Sequence, residues 1–258
     1  MAWRSRSGTG RFSLEAFVVR VLFPAVFVQV VVQVLVELLV LFGHVAPALL
    51  VQLLNVAVAG AAMVEVLTMD GRSISRAAET VIRGGLVVYP TDTVYGLGCD
   101  PFNEEAVRRL FACKGRGAKA VPVLCGSREK ASDLVDLGPK GEELARRHWP
   151  GALTIVAPLK MRVPDMLSQG PTLGVRVPNH QLCLELVASC GGWLAGTSAN
   201  VSGAPSARGA GEALRQLGDT VDIILDGGPS AGTGSTVVSV VGGAVTILRT
   251  GQIGVETS

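Results

Sequence analysis

Residues 86–98 read LVVYPTDTVYGLG. Leu86 to Tyr89 is apolar and rich in β-branched and aromatic side chains, the composition of a buried strand. The chain leaves this strand through Pro90, two threonines around Asp92, then Tyr95 and two glycines. A plain turn needs none of those hydroxyls, so the exit is expected to carry chemistry as well as to reverse the chain.

Three further stretches share this character: KGRGAK at 114–119, GTSANVSGAPS at 196–206 and GTGST at 232–236. Each places small hydroxyls, an amide or glycine at or beside a strand end, which is where ligands sit in open α/β sheets. Glycine lets backbone N–H groups approach a ligand, and hydroxyls add short donors suited to phosphate oxygens. Lys114 and Arg116 add positive charge. Taken singly, a Ser/Thr/Gly cluster reads as a turn and K-x-R as a solvated helix end. Arg176 says more, because an arginine within the apolar run LGVRVP is costly unless paired or facing a ligand. Arg249, at the end of the last apolar run, is a weaker candidate of the same kind. No G-x-x-x-x-G-K-[ST] loop occurs, and no G-x-G-x-x-G joins a strand to a helix.

Outside these stretches, strand-like runs alternate with amphipathic segments, the pattern of an α/β domain with one main sheet. Helices are expected over 73–83, from Asn103 to Lys114, over 130–137 and 141–148, after an Asn179 cap, and over 210–217. Strands are expected at 86–89, 121–125, 153–158, 174–178, 193–195 and 222–225. The run STVVSVVGGAVTILR reads as a hairpin turning at Gly242-Gly243.

Composition bounds the partners. Formal net charge is +2; four of 23 basic and two of 21 acidic residues fall in 1–62, leaving the remainder neutral. Binding to nucleic acid by bulk charge is therefore unsupported for residues 63–258. The five cysteines show no C-x-x-C pair, which points to reduced thiols and a cytoplasmic protein, and the three histidines fit no zinc pattern. Residues 1–62 form an apolar extension. It reads as a misassigned start upstream of Met63, as a membrane anchor or as a targeting segment; residues 63–258 form the α/β domain.

In order and spacing, the motifs resemble the YrdC/Sua5 family of threonylcarbamoyl-AMP synthases. The matching segments are PTDTVYGLG (90–98), K-x-R (114–116), WPGALT (149–154), VRVP (175–178), SANVSG (198–203), STV (235–237) and LRTG (248–251). The resemblance covers residues 65–254 and is of the single-domain type. It implies a twisted mixed sheet flanked by helices, with a concave ligand groove. It implies an enzyme that joins L-threonine, bicarbonate or CO2, and ATP into L-threonylcarbamoyladenylate and pyrophosphate, with Mg2+ on the phosphates. A downstream tRNA threonylcarbamoyl-transfer machinery would use the product at adenosine 37 of ANN-decoding tRNAs.

By the same resemblance, Thr93, Arg176 and Ser235 would hold L-threonine. Lys114, Arg116, Ser198 and Asn200 would face the triphosphate and the reacting centre, and Arg116, Ser198, Thr172, Ser206 and Arg249 would contact the nucleotide. Tyr95 and Gly96 to Gly98 would shape the floor by packing or by binding. The chain departs from the family pattern at Lys119-Ala120-Val121, where a Pro-containing pair is usual, and at Cys125, where some members have histidine. The rival reading is an RNA- or tRNA-binding module of the same fold, with weak RNA binding and no synthase activity. A related carbamoyl-transfer domain of hydrogenase-maturation proteins is a third.

Overall fold

The computed structural model describes residues 64–115, 120–168 and 170–256. The N-terminal extension, Arg116 and Lys119 lie outside the described residues. Among those described, ten strands form one mixed sheet: β1 (Glu65–Thr68), β2 (Val87–Tyr89), β3 (Gly96–Cys99), β4 (Val123–Cys125), β5 (Leu153–Pro158), β6 (Thr172–Arg176), β7 (Trp193–Ser198), β8 (Ile223–Asp226), β9 (Thr236–Ser239) and β10 (Thr246–Arg249). Their spatial order is β1-β8-β2-β3-β7-β4-β6-β5-β9-β10. Parallel pairs (β1/β8, β2/β8, β4/β6, β5/β9) are interspersed with antiparallel ones. The helices are α1 (Gly71–Ile82), α2 (Glu104–Lys114), α3 (Arg128–Leu134), α4 (Gly138–His148), α5 (Gln181–Ser189) and α6 (Ala210–Leu217).

Most helices start and stop where local chemistry requires. Asp70 caps α1 by accepting from Ser73 N at 2.9 Å, and Ile74, Ala77, Ala78 and Val81 bury one face at helical spacing. Gly84 at φ 86° ends it. Asn103 caps α2 through Ala106 N, and Glu104 and Glu105 sit at the positive end of its dipole. Several boundaries move from expectation: α3 covers Arg128–Leu134 rather than 130–137, and β6 covers Thr172–Arg176 rather than 174–178. His180, not Asn179, caps α5, its Nδ1 accepting from Cys183 N at 3.2 Å. The helix begins one residue later than expected, and an imidazole at the cap reaches the third helical N–H as a short amide would. α4 starts at Gly138 rather than Gly141, with Pro139 in its first turn, where a missing N–H costs nothing.

Register sorts the sheet into two faces. One face carries Val88, Leu97, Cys99, Ala195, Val123, Cys125, Val175, Ile155 and Val238, all within the main core. This face is packed by α2, α3, α4 and α6. The other face carries Val87, Tyr89, Leu124, Leu194 and Ile223, covered by α1 and α5. On that second face, pairing also aligns Gly98 with Gly196, Gly96 with Ser198 and Val156 with Gly174. Glycines and short hydroxyls fill no space above the strands, so this part of the face stays open as a cleft. No described helix is long and apolar enough to cross a membrane, and all five cysteines are free.

Candidate active site

The cleft encloses about 470 Å3, within the range of small-molecule sites. Of the residues expected to act, Thr93, Lys114, Thr172, Arg176, Ser198, Asn200, Ser206, Ser235 and Arg249 all line it. Arg116 lies outside the described residues, so its place is not described. Arg176 and Lys114, from β6 and the end of α2, thus meet Ser198 on one face of the sheet.

The floor explains the glycines of the opening stretch. The Tyr89 ring lies across neighbouring strands: a Cβ at Gly96 or Gly98 would come within 2.9 Å of it, and one at Gly196 within 2.7 Å of its hydroxyl. Only glycine permits that approach. The hydroxyl is buried without a partner among the described residues, and burial raises its pKa well above the ordinary value, so it stays protonated. Tyr95, expected at the floor, instead donates its hydroxyl to Gly228 O at 2.7 Å and packs the loop beneath.

Arg176 is 5% exposed. Its Nε donates to Gly151 O at 2.9 Å, Nη1 to Thr93 Oγ1 at 3.0 Å and Nη2 to Asp92 Oδ1. Three of its five N–H groups are thereby committed, and one on each terminal nitrogen is left for a ligand. Asp92 is a positioning group that sequence reasoning missed; the middle residue of T-D-T is indistinguishable there from a turn carboxylate.

Lys114 is equally buried but has no carboxylate beside it. Its Nζ donates to Ser198 O and Asn200 O, each at 2.6 Å, and to Asn200 Oδ1 at 3.1 Å. Burial pulls its pKa down to about 8. The ammonium therefore fastens the loop leaving β7 and keeps an uncompensated positive charge beside the cleft. Asn200 Nδ2 in turn donates to Val201 O and Ala204 O, which fixes the loop from within.

At the other end, a shift in register between Ile247 and Arg249 bulges β10 and turns both Leu248 and Arg249 to the cleft. Arg249 donates from Nη2 to Ser235 O at 2.8 Å and to Ser235 Oγ at 3.1 Å. Burial and the neighbouring Arg176 lower its pKa. Ser235 Oγ lies 2.9 Å from Thr154 Oγ1, a second group missed because a threonine in a strand reads as ordinary β composition. The tail fixes this corner. Gly251 N donates to Thr236 Oγ1 and Gln252 N to Gly234 O, and a Cβ on Gly251 would lie 2.3 Å from Ser235 C. Cys125 sits in the core on the opposite face. No residue at that position facing the same way could reach the cleft.

The cleft thus offers cations and hydroxyls, and its described lining includes no carboxylate. Such a site suits a ligand with a carboxylate and phosphates. Among the described residues, no group of three or more His, Cys, Asp or Glu could hold a metal ion.

The Sua5/YciO/YrdC family model, described as "Telomere recombination", matches residues 79–251. A Mycobacterium tuberculosis relative is 41% identical over 192 residues, covering 72% of this chain and 87% of its own length. The threonylcarbamoyl-AMP synthase of Halorhodospira halophila is 40% identical over 157 residues, covering 60% of this chain and 82% of its own. The crystal structure of Pyrococcus abyssi Sua5 complexed with L-threonine superposes with a TM-score of 0.69 at 35% identity, over 73% of this chain and 57% of that one.

Proposed function

We propose, from the premise that this chain belongs to the Sua5/YciO/YrdC family, that it is a threonylcarbamoyl-AMP synthase. It joins L-threonine, bicarbonate or CO2, and ATP into L-threonylcarbamoyladenylate, releasing pyrophosphate. The product serves threonylcarbamoylation of adenosine 37 in ANN-decoding tRNAs. The activity is assigned to residues 63–258, in the cytoplasm, where free thiols persist. The observation that carries this reading is one cleft holding a half-committed arginine, an uncompensated lysine and a row of hydroxyls.

In this mechanism the two remaining N–H groups of Arg176 form a fork on the threonine carboxylate, steadied by Asp92. Thr93 and Ser235 flank the amino acid. The threonine amine adds to CO2, forming a C–N bond and losing a proton to give the carbamate. A carbamate oxygen attacks the α-phosphorus, the bond to the β-phosphate oxygen breaks, and pyrophosphate departs. Charge accumulates on the phosphate oxygens during that step. Lys114 opposes it by its field and by holding the Ser198–Asn200 loop, and preorganised groups of this kind lower such barriers. Arg116, Thr172, Ser206 and Arg249 complete the nucleotide contacts. The donor set does not fit a protein-held Mg2+, because that ion takes one or two carboxylates beside phosphate and water and the described lining has no carboxylate; an ion arriving on the nucleotide would keep phosphate and water ligands, and no residue is assigned to it.

The test is pyrophosphate release by the full chain with ATP, bicarbonate and L-threonine, and with L-serine as control. Threonine-dependent release supports the reading; salt-sensitive RNA binding with no such release overturns it.

A further inference from the structure

Counting protons in the cleft shows a donor that nothing among the described residues accepts. Thr91 donates its hydroxyl to Val94 O at 2.7 Å. The 2.9 Å contact between Thr91 and Thr93 is therefore Thr93 donating to Thr91. Thr93 also receives Arg176 Nη1, so its hydroxyl can offer a ligand only a lone pair.

The Thr154–Ser235 pair is the opposite case. Ser235 Oγ accepts from Arg249 Nη2, and the two hydroxyls share a single hydrogen bond. Two O–H protons and one mutual bond leave one proton over, whichever residue donates to the other. Both side chains are buried, Thr154 at 3% and Ser235 at 6% exposure, and both line the cleft. A donor that lines the cleft is met by water until a ligand replaces it, so the pair is poised for an acceptor on the ligand. β5 adjoins β6, which carries Arg176, so the pair's threonine stands one strand spacing, about 4.8 Å, from the arginine's strand. That spacing suits a small molecule with a carboxylate at one end and a hydroxyl beside it.

Resting on the synthase reading, we propose that Thr154 is a specificity-determining residue. Together with Ser235 it presents one oriented O–H to the side-chain hydroxyl oxygen of the amino acid. Thr93 and Arg176 bind what every α-amino acid shares, and the Thr154–Ser235 pair selects for the hydroxyl. A site built to hydrogen-bond a substrate hydroxyl rejects the isostere lacking it far more strongly than an apolar pocket can.

The experiment is calorimetric binding of L-threonine and the isosteric L-valine to full-length wild type, Thr154→Val and Thr154→Ser, with ATP affinity measured in parallel. Wild type should favour threonine by about 100-fold or more, Thr154→Val by less than about tenfold through weaker threonine binding, and Thr154→Ser as wild type does. ATP affinity should fall far less than threonine affinity, because Thr154 reaches the nucleotide contact Arg249 only through Ser235. If Thr154→Val keeps its preference, the specificity role is wrong and the synthase reading stands. If it loses ATP together with threonine, the residue is structural and the inference is overturned. A wild type that binds neither amino acid removes the synthase reading and this inference with it.

Discussion

Arg176 and Lys114 are buried to the same degree, 5% exposed each, yet the protein neutralises them in opposite ways. Arg176 has a full counter-charge in Asp92, whereas Lys114 has only uncharged oxygens among the described residues. A buried charge with an ionic partner belongs to the folded state. One solvated by dipoles alone stays an unsatisfied electrostatic demand, met only when an anion arrives. Arg176 is thus an anchor that reads a carboxylate with its spare donors, and Lys114 is a standing potential aimed at phosphate.

The largest expected effect breaks the anchored pair. Arg176→Ala leaves Asp92 buried without its partner and should lower unfolding free energy by about 3–5 kcal/mol, with threonine binding lost. Urea unfolding measures the first, calorimetry the second; a variant as stable as wild type would mean that Asp92 is not held by Arg176.

Removing the other cation should separate function from stability. Lys114→Met should cut threonine-dependent pyrophosphate release by about 100- to 1000-fold, with the urea midpoint little changed. Equal stability losses in the two variants would erase the contrast.

Titration sharpens it. Lys114 loses its proton near pH 8 in the folded chain, against an ordinary 10.5. Below pH 8 both folded and unfolded chains carry this ammonium, so its burial cost is felt in full. Between pH 8 and 10.5 the folded amine is neutral while the unfolded one keeps its proton, so the cost fades and wild type should gain stability relative to Lys114→Met. Over the same rise the lysine's attraction for phosphate disappears. ATP affinity should fall about tenfold by one pH unit above the titration point of Lys114 in the folded chain, and Lys114→Met should lack that fall. Parallel profiles in the two proteins would count against the assignment.

The smallest effect concerns Tyr89. Tyr89→Phe removes a hydroxyl with no partner and should raise the melting temperature slightly, by the equivalent of about 1 kcal/mol, without changing turnover. Reduced turnover would give that hydroxyl a role at the ligand.

The elements legible in the sequence were those whose local and global preferences agree. Val87–Tyr89, Leu153–Pro158 and the hairpin at Gly242-Gly243 are strand-rich runs between breakers. β3 was invisible, because Gly96-Leu97-Gly98-Cys99 has poor strand propensity; the space demanded by the Tyr89 ring decides it. Within the site, Arg176 could be found because an arginine within an apolar run is conspicuous, and Lys114, Ser198 and Asn200 could be found through the family resemblance. Thr154 and Asp92 could not, since only the fold brings them against Ser235 and Arg176.

The corner where Gly251 crosses Ser235 has a practical consequence. Residues 251–253 act as a buckle, fastening a hydroxyl of the cleft with hydrogen bonds that run through Gly234 and Thr236. Ile253 and Val255 pack against the main core beside it, so the same segment that closes the buckle is itself held by apolar contact. A change confined to the hydrogen bonds of residues 251–253 would then register first as a dulled grip on the amino acid.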